Sequence, residues 1–235
     1  MLLKELREEV LEANLELVRR GLVIFTFGNA SGFDRAEQLA VIKPSGVPYE
    51  QLKPQDLVVT DLAGKIREGS LRPSSDLPTH LALYRAWPEI NGVVHTHSRY
   101  ATAWAQAQRE IPCFGTTHAD YFGGSIPVTA PMQPAQIQSE YELNTGHAII
   151  ERFAKLDPVT TPAVLVAGHA PFCWGLNVTE AAHTAAIVEE LAHMALLTLT
   201  VNAECGPISD ALHHKHFSRK HGPSAYYGQK GRPHA

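Results

Sequence analysis

The sequence predicts an α/β fold: a single three-layer α/β/α domain over residues 1–230, built on a central, mainly antiparallel sheet, with 231–235 as a disordered tail. Three observations predict it. The 235 residues lie within the length that one α/β core fills. Short apolar runs of strand length alternate with segments of helical period, enough of them to cover both faces of a sheet. No internal repeat is present, which argues against a solenoid or propeller.

Met1 to Leu22 places Leu2, Leu3, Leu6, Val10, Leu11, Leu15 and Val18 among Lys4, Glu5, Arg7, Glu8, Glu9 and Glu12. That is the pattern of an amphipathic surface helix, not of a signal peptide. Gly21 stops it, and Leu22 to Phe27 reads as a short strand delivering the chain to a polar loop at Gly28-Asn29-Ala30-Ser31. Leu39 to Ile42 and Leu57 to Thr60 read as further strands, the latter followed by the turn Leu62-Ala63-Gly64-Lys65. A helix is expected from Leu77 to Trp87, a strand from Gly92 to Thr96, and a helix capped by Ser98 through Gln106. Beyond these come a strand at Ile126 to Val128 and long helices over Ala135 to Ala154 and Thr179 to Val201. Between those helices lie strands at Ala163 to Ala167 and Phe172 to Trp174, and a last helix covers Ser209 to Lys220.

Composition narrows the partners. Lys and Arg total 20 against 24 Asp and Glu, a formal charge of -4, so no electrostatic footprint for nucleic acid or an anionic membrane is present. No uninterrupted apolar run of about 18 residues offers a membrane span, and the expected compartment is the cytoplasm. Cys113, Cys173 and Cys205 are odd in number and widely spaced, which indicates buried free thiols, not a disulfide framework or a thiolate zinc site.

The strongest chemical feature is His95-Thr96-His97 at the end of the apolar run Gly92-Val93-Val94. In an extended chain residues i and i+2 share a face, so both imidazoles can converge on one ion while Thr96 points away. A third histidine, His169, follows another apolar run in a Gly-His-Ala-Pro turn, where its ring can face the first pair. Three His ligands with an open position form a catalytic, not a structural, divalent-metal site. The chain has 13 histidines, and His80, His147, His183 and His193 fall in expected helices, where packed or solvated roles suit them better.

Asp76 precedes a helix and is read either as its cap or as a group for metal or acid–base work. Ser74 and Ser75 beside it add hydroxyls and backbone donors at a helix start. Lys43-Pro44-Ser45-Gly46 offers a cation and a hydroxyl, and Gly28-Asn29 offers amides. Together they can hold a phosphate monoester.

The ordered set Gly28-Asn29-Ala30-Ser31, Ile42-Lys43-Pro44-Ser45-Gly46-Val47, Pro73-Ser74-Ser75-Asp76, Val94-His95-Thr96-His97-Ser98, Gly115-Thr116-Thr117-His118-Ala119-Asp120-Tyr121-Phe122, His169-Ala170-Pro171-Phe172 and Arg219-Lys220-His221-Gly222 resembles the class II aldolase-like family. Within that family the likeness is greatest to the L-ribulose-5-phosphate 4-epimerases, and it covers nearly the whole chain. The resemblance implies the class II aldolase-like fold. It implies that His95, His97 and His169 hold a divalent cation, zinc with manganese or cobalt as alternatives, and that Asp76 lies beside it. Asn29, Lys43, Ser45, Gly46, Ser74 and Ser75 would receive the phosphate of a ketopentose, with Thr116 and Thr117 also contacting substrate. Asp120 and Tyr227 would be the proton carriers. His216, Arg219 and Tyr227 would cross into a neighbouring subunit's site, making a homotetramer with shared sites. The loop Gly168-His169-Ala170-Pro171 departs mildly from the family pattern, with Gly and Ala where Ser and Gly are expected.

The chemistry implied is retro-aldol epimerisation. The C4 hydrogen of L-ribulose 5-phosphate is not acidic, but a C2 ketone stabilises a carbanion at C3, so C3–C4 cleavage followed by re-addition to the other aldehyde face inverts C4. Two rivals stand beside this. One is a sugar-phosphate aldolase of the fuculose-phosphate type, in whose relatives the Asp76 position resembles a longer Glu base. The other is a non-catalytic interaction module on the same fold.

Overall fold

The computed structural model describes residues 1–223 together with Ala225 and Tyr226. The expected proton carrier Tyr227 and the expected tail 231–235 lie outside the described residues. A helix α1 (Lys4–Arg19) leads to the hairpin strands β1 (Asn29–Asp34) and β2 (Leu39–Ile42), then β3 (Val58–Asp61) and β4 (Ile66–Glu68). After α2 (Leu77–Ala86) come β5 (Gly92–His95), α3 (Arg99–Gln106), the single turn α4 (Thr116–Ala119), α5 (Pro134–Gln138) and α6 (Tyr141–Arg152). The chain continues through β6 (Ala163–Leu165), β7 (Pro171–Gly175), α7 (Val178–Val201) and α8 (Asp210–His221).

Among the described residues the strands form one seven-stranded sheet in the order β4-β3-β2-β1-β5-β7-β6, and every pairing between them is antiparallel. The expectation of a mainly antiparallel sheet holds. Strand alternation divides the apolar residues between two faces. Val41, Val59, Val94 and Cys173 pack with α1, α3 and α7 residues such as Leu17, Trp104 and Val188. Ile42, Val58, Val93, Phe172 and Trp174 pack with Leu81 and Tyr84 from α2, Ile149 from α6 and Phe153 just after it. Helices cover both faces, which gives the three layers.

Several element readings need correction. Leu22 to Phe27 is not a strand: Phe25 takes a left-handed φ of 53° and Ile24, Phe25 and Phe27 are exposed. The strand begins where the sequence suggested a loop, at Asn29, because that segment pairs with β2 on one side and β5 on the other. The long helix over Ala135 to Ala154 is two helices, interrupted at Ser139 and Glu140, where Ser139 has ψ of -120°. Ile126 to Val128 makes only isolated bridges to Ile111 and Leu165. Arg7, grouped with the polar face of the first helix, is fully buried. Its guanidinium donates to the carbonyls of Leu2, Pro54 and Leu57 and pairs with Glu68, so the charge is sunk into acceptors and stays hydrogen-bonded. Cys113 and Cys173 are buried free thiols as expected, while Cys205 is part exposed.

Helix α7 is long and apolar enough to cross a membrane, with a mean hydropathy of 1.4 over its best window. It lies along the sheet, with Val178, Ala181, Ala185, Val188 and Leu191 buried in the core. Met194, Leu196, Leu197 and Val201 on its outer side are exposed.

The α2 layer is tied to the sheet by a buried polar chain. Ser31 Oγ lies 2.7 Å from His80 Nδ1 and 2.7 Å from the Tyr84 hydroxyl, which donates to the Ser31 carbonyl at 3.0 Å. Burial pushes His80 down to about 3. His118, bonded through Nε2 to the Gly124 carbonyl at 2.9 Å, is pushed by burial to about 4.

This packing makes two demands on stability that unfolding experiments can read. A Cβ on Gly92 would overlap the backbone of Asn177 and Val178 where α7 starts, so Gly92→Ala is expected to destabilise the fold by about 3 kcal/mol in urea unfolding. Gly206→Ala, which meets nothing, serves as the neutral control. Because His80 and His118 are neutral when folded, the unfolded chain binds more protons below the ordinary histidine range. Stability is therefore full above about pH 6.5 and falls on acidification, by about 1.4 kcal/mol per pH unit for each group down to its folded value. His118→Gln is expected to flatten this acid limb; an unchanged slope in pH-dependent unfolding would contradict the assignment.

Candidate active site

The site forms at one end of the sheet, where β1 begins, β5 ends and β7 begins. Antiparallel register sets Asn29 opposite His95, and His95 opposite Phe172. Gly28, just before β1, has a φ of 73°, and a Cβ there would stand 2.9 Å from the His95 carbonyl. Only glycine lets the chain pass this close under the histidines.

His95, His97 and His169 converge, with their ligand nitrogens all within 4.8 Å of one another. His95 Nδ1 donates to the Pro171 carbonyl at 3.0 Å, which fixes its tautomer and turns the Nε2 lone pair inward, as partners behind metal-binding histidines do. That nitrogen is 3.1 Å from His97 Nε2. The His95 ring stacks on Phe172 with centroids 4.2 Å apart. His169 Nδ1 is buried without a hydrogen-bond partner. Burial lowers the proton affinity of all three rings, opposed in each by Asp76, and takes His169 to about 4. Near neutral pH they are uncharged ligands clustered around a common point. A buried orphan nitrogen and two facing ring nitrogens fit a divalent cation, which is the three-histidine donor set of an open metal site.

Asp76 stands at the N-cap position of α2, yet its side chain makes no capping bond. It accepts instead from Asn29 Nδ2 at 2.7 Å. Burial raises its proton affinity, but His95, His80 and the Asn29 bond outweigh burial and hold it below the usual carboxylate range. The carboxylate lies near the imidazoles without belonging to their tight cluster.

The same cavity, about 430 Å³, is lined further by Lys43, Ser45, Gly46, Ser74 and Ser75. Two backbone bonds join these loops: Ser74 N to the Lys43 carbonyl at 3.0 Å and Ser45 N to the Arg72 carbonyl at 2.9 Å. Asn29 Nδ2 also donates to Ser74 Oγ at 3.0 Å, and its Oδ1 is buried without a partner. Lys43 is buried, with its ammonium 4.7 Å from the centre of the Tyr49 ring. Burial brings it down to about 8. An ammonium so poorly hydrated, beside the Ser45, Ser74 and Ser75 hydroxyls, suits an anionic group.

The remaining expected residues lie elsewhere. Thr116 and Thr117 sit on α4, and Asp120 closes that turn; none of them lines the histidine cavity. Arg219 grips Asp120 with Nε to Oδ1 at 2.9 Å and Nη2 to Oδ2 at 2.6 Å, and His216 Nδ1 lies 3.1 Å from Oδ1. Burial raises the Asp120 carboxyl, but Arg219 and His216 more than reverse this and hold it below the usual range. The expected residues thus fall into two clusters, one around the histidines and one around Asp120.

Thr26, Phe27, Tyr141 and Glu142 also line the cavity and were not singled out from the sequence. Tyr141 was hidden by the break before α6: within a continuous helix nothing distinguishes it, whereas as the first residue of a new helix it faces the site.

The chain matches the model of the family described as Class II Aldolase and Adducin N-terminal domain over residues 8–196. It is 54% identical over 228 residues to the L-ribulose-5-phosphate 4-epimerase UlaF of Salmonella paratyphi B, covering 97% of this chain and 100% of that one. The UlaF protein of Salmonella typhi gives the same identity and coverage. Among solved structures, an L-fuculose 1-phosphate aldolase superposes with a TM-score of 0.78 at 27% identity, covering 92% of this chain and 95% of that one. The L-fuculose-1-phosphate aldolase of Thermus thermophilus superposes at 0.68 with 25% identity, covering 86% and 99%. With its histidine cluster, its sheet and these relatives taken together, the chain belongs to the class II aldolase and adducin N-terminal domain family.

Proposed function

We propose that this protein is an L-ribulose-5-phosphate 4-epimerase, an isomerase that interconverts L-ribulose 5-phosphate and D-xylulose 5-phosphate by breaking and re-forming the C3–C4 bond. One observation carries the reading: three uncharged imidazoles converge beside an anion cradle, in a chain 54% identical to such an epimerase over that protein's whole length. The working unit is one domain over residues 1–230, acting in the cytoplasm.

His95, His97 and His169 would hold the cation, zinc by preference with manganese or cobalt as alternatives, and Asp76 would stand beside it. When bound, a divalent cation supplies an electrophile for the negative charge that develops on the C2 and C3 oxygens of the sugar. Lys43, Ser45, Gly46, Ser74, Ser75 and Asn29 bind the phosphate and keep the two-carbon half in place after cleavage. Loss of the C4 hydroxyl proton to a base lets the C3–C4 electrons remain on the three-carbon half as an enediolate, leaving glycolaldehyde phosphate. The aldehyde turns about its tethered phosphate, the enediolate adds to its other face, and a proton returns to the C4 oxygen. Asp120 and Tyr227 serve as the two carriers. The grip of Arg219 and His216 keeps Asp120 an anion at rest, with its acceptor oxygens deprotonated; its lowered proton affinity makes it a weak base that returns the proton readily once it has taken it up.

The separation of Asp120, His216 and Arg219 from the histidine cavity within one chain supports a shared site, in which this cluster serves a neighbouring subunit, with Thr116 and Thr117 close by. The exposed apolar side of α7 at Met194, Leu196, Leu197 and Val201 supports an oligomer, which we take to be a homotetramer.

The test is to follow L-ribulose 5-phosphate by NMR with the metal-loaded protein. D-xylulose 5-phosphate is the expected product; predominant release of glycolaldehyde phosphate would establish the aldolase instead. Asp120→Asn is expected to keep metal and circular dichroism while losing roughly 100-fold or more in turnover, and unchanged turnover removes Asp120 from the reaction. His95→Ala and His97→Ala are each expected to abolish stoichiometric metal, measured by elemental analysis of the purified protein. Full metal retention in both would show that the histidines are not the ligands.

A further inference from the structure

The cavity has one wall that the assigned roles leave unused. Tyr141 opens α6 and stands beside His169, with ring centroids 6.1 Å apart and planes tilted by 50°. That ring contact puts Tyr141 on the histidine side of the cavity, whose other lining comes from the loops after β2 and before α2.

Its position is built into the packing. A Cβ on Gly146 would lie 2.7 Å from the Ala82 methyl, so α6 is pressed directly on α2. Thr79 Oγ1 donates to the Glu142 carbonyl at 2.5 Å, tying the first turn of α6 to α2. Thr145 Oγ1 donates to the Tyr141 carbonyl at 2.9 Å and closes that turn. Helix α2 is also the helix that begins at Asp76. One helix pair therefore fixes the phenol and the carboxylate relative to each other.

The chemistry of the neighbouring groups defines what the phenol can add. The three imidazoles present lone pairs, Asp76 is an anion, and the Asn29 amide protons are spent on Ser74 and Asp76. None of these groups donates a hydrogen bond to an oxyanion held at this end. The phenol stays protonated and is a donor under all ordinary conditions.

We propose that Tyr141 is a substrate-binding residue that donates its hydroxyl hydrogen bond to an oxygen of the enediolate half of the cleaved sugar. The assignment rests on the epimerase reading for the identity of that half, and on cavity geometry for the site. It gives the three-carbon half a hold separate from the phosphate end, so that the aldehyde half can turn while its partner stays fixed.

The probe is the hydroxamate of glycolic acid, a planar mimic of an enediolate with two oxygens on one edge. Its affinity for the zinc-loaded protein is measured by calorimetry, with inorganic phosphate titrated in parallel as the ligand of the other end. Tyr141→Phe is expected to weaken the hydroxamate about tenfold or more, as loss of a hydrogen bond to a charged group does, while zinc content and phosphate affinity stay as in the parent. Unchanged hydroxamate affinity overturns the proposal, as do equal losses for both ligands, loss of zinc, or a parent protein that does not bind the hydroxamate. A parent that binds the hydroxamate through Tyr141 yet fails to epimerise L-ribulose 5-phosphate removes the epimerase reading and leaves the tyrosine's hold on an enediolate intact.

Discussion

The histidine end of this molecule depends on the antiparallel pairing of β1, β5 and β7. That register sets Asn29, His95 and Phe172 abreast, and from it follow the Asn29 bond to Asp76, the Phe172 stack beneath His95 and the turn that brings His169 back. A slip of one residue would send these side chains to the opposite face, so the apolar cores on both sides of the sheet maintain the site's geometry as well as the fold. The polar chain Ser31–His80–Tyr84 extends the same control to α2 and hence to Asp76.

Much of this was legible in the residues. Leu39 to Ile42 and the helix from Leu77 were readable because apolar period and flanking turns agree there, and the His-x-His pair could be read because strand geometry places i and i+2 together. The strand at Asn29 was not readable, since Asn, Ser and Gly carry loop chemistry; its extension comes from being hydrogen-bonded between two partners, which is tertiary information. The break at Ser139 and Glu140 was likewise hidden, for its neighbours are ordinary helix formers. Arg7 looked like a surface charge because nothing local reveals carbonyls supplied some fifty residues away. The second cluster was nameable only through resemblance: no spacing rule joins Asp120 to Arg219 across 99 positions.

The division into two clusters has an electrostatic logic. The histidine cavity contains one buried cation, Lys43, and two carboxylates, Asp76 and Glu142, around three neutral rings, so its field is poised for a metal to complete it beside the three rings. The Asp120 cluster is already neutralised by Arg219 and His216. A carboxylate so well paired costs little to hold in place before any substrate arrives, which suits the proton-carrier role proposed for it.

The desolvation of Lys43 would couple the anion capture proposed for it to proton exchange with the medium. Its ammonium sits over the Tyr49 ring and releases its proton near pH 8, so in mildly alkaline solution an appreciable share of molecules carry a neutral amine there. A phosphate bound there, as proposed, would favour the charged ammonium, so binding would draw a fraction of a hydrogen ion from the buffer. The hold proposed for an anionic sugar would consequently weaken from the basic side, independently of whichever groups perform the bond chemistry.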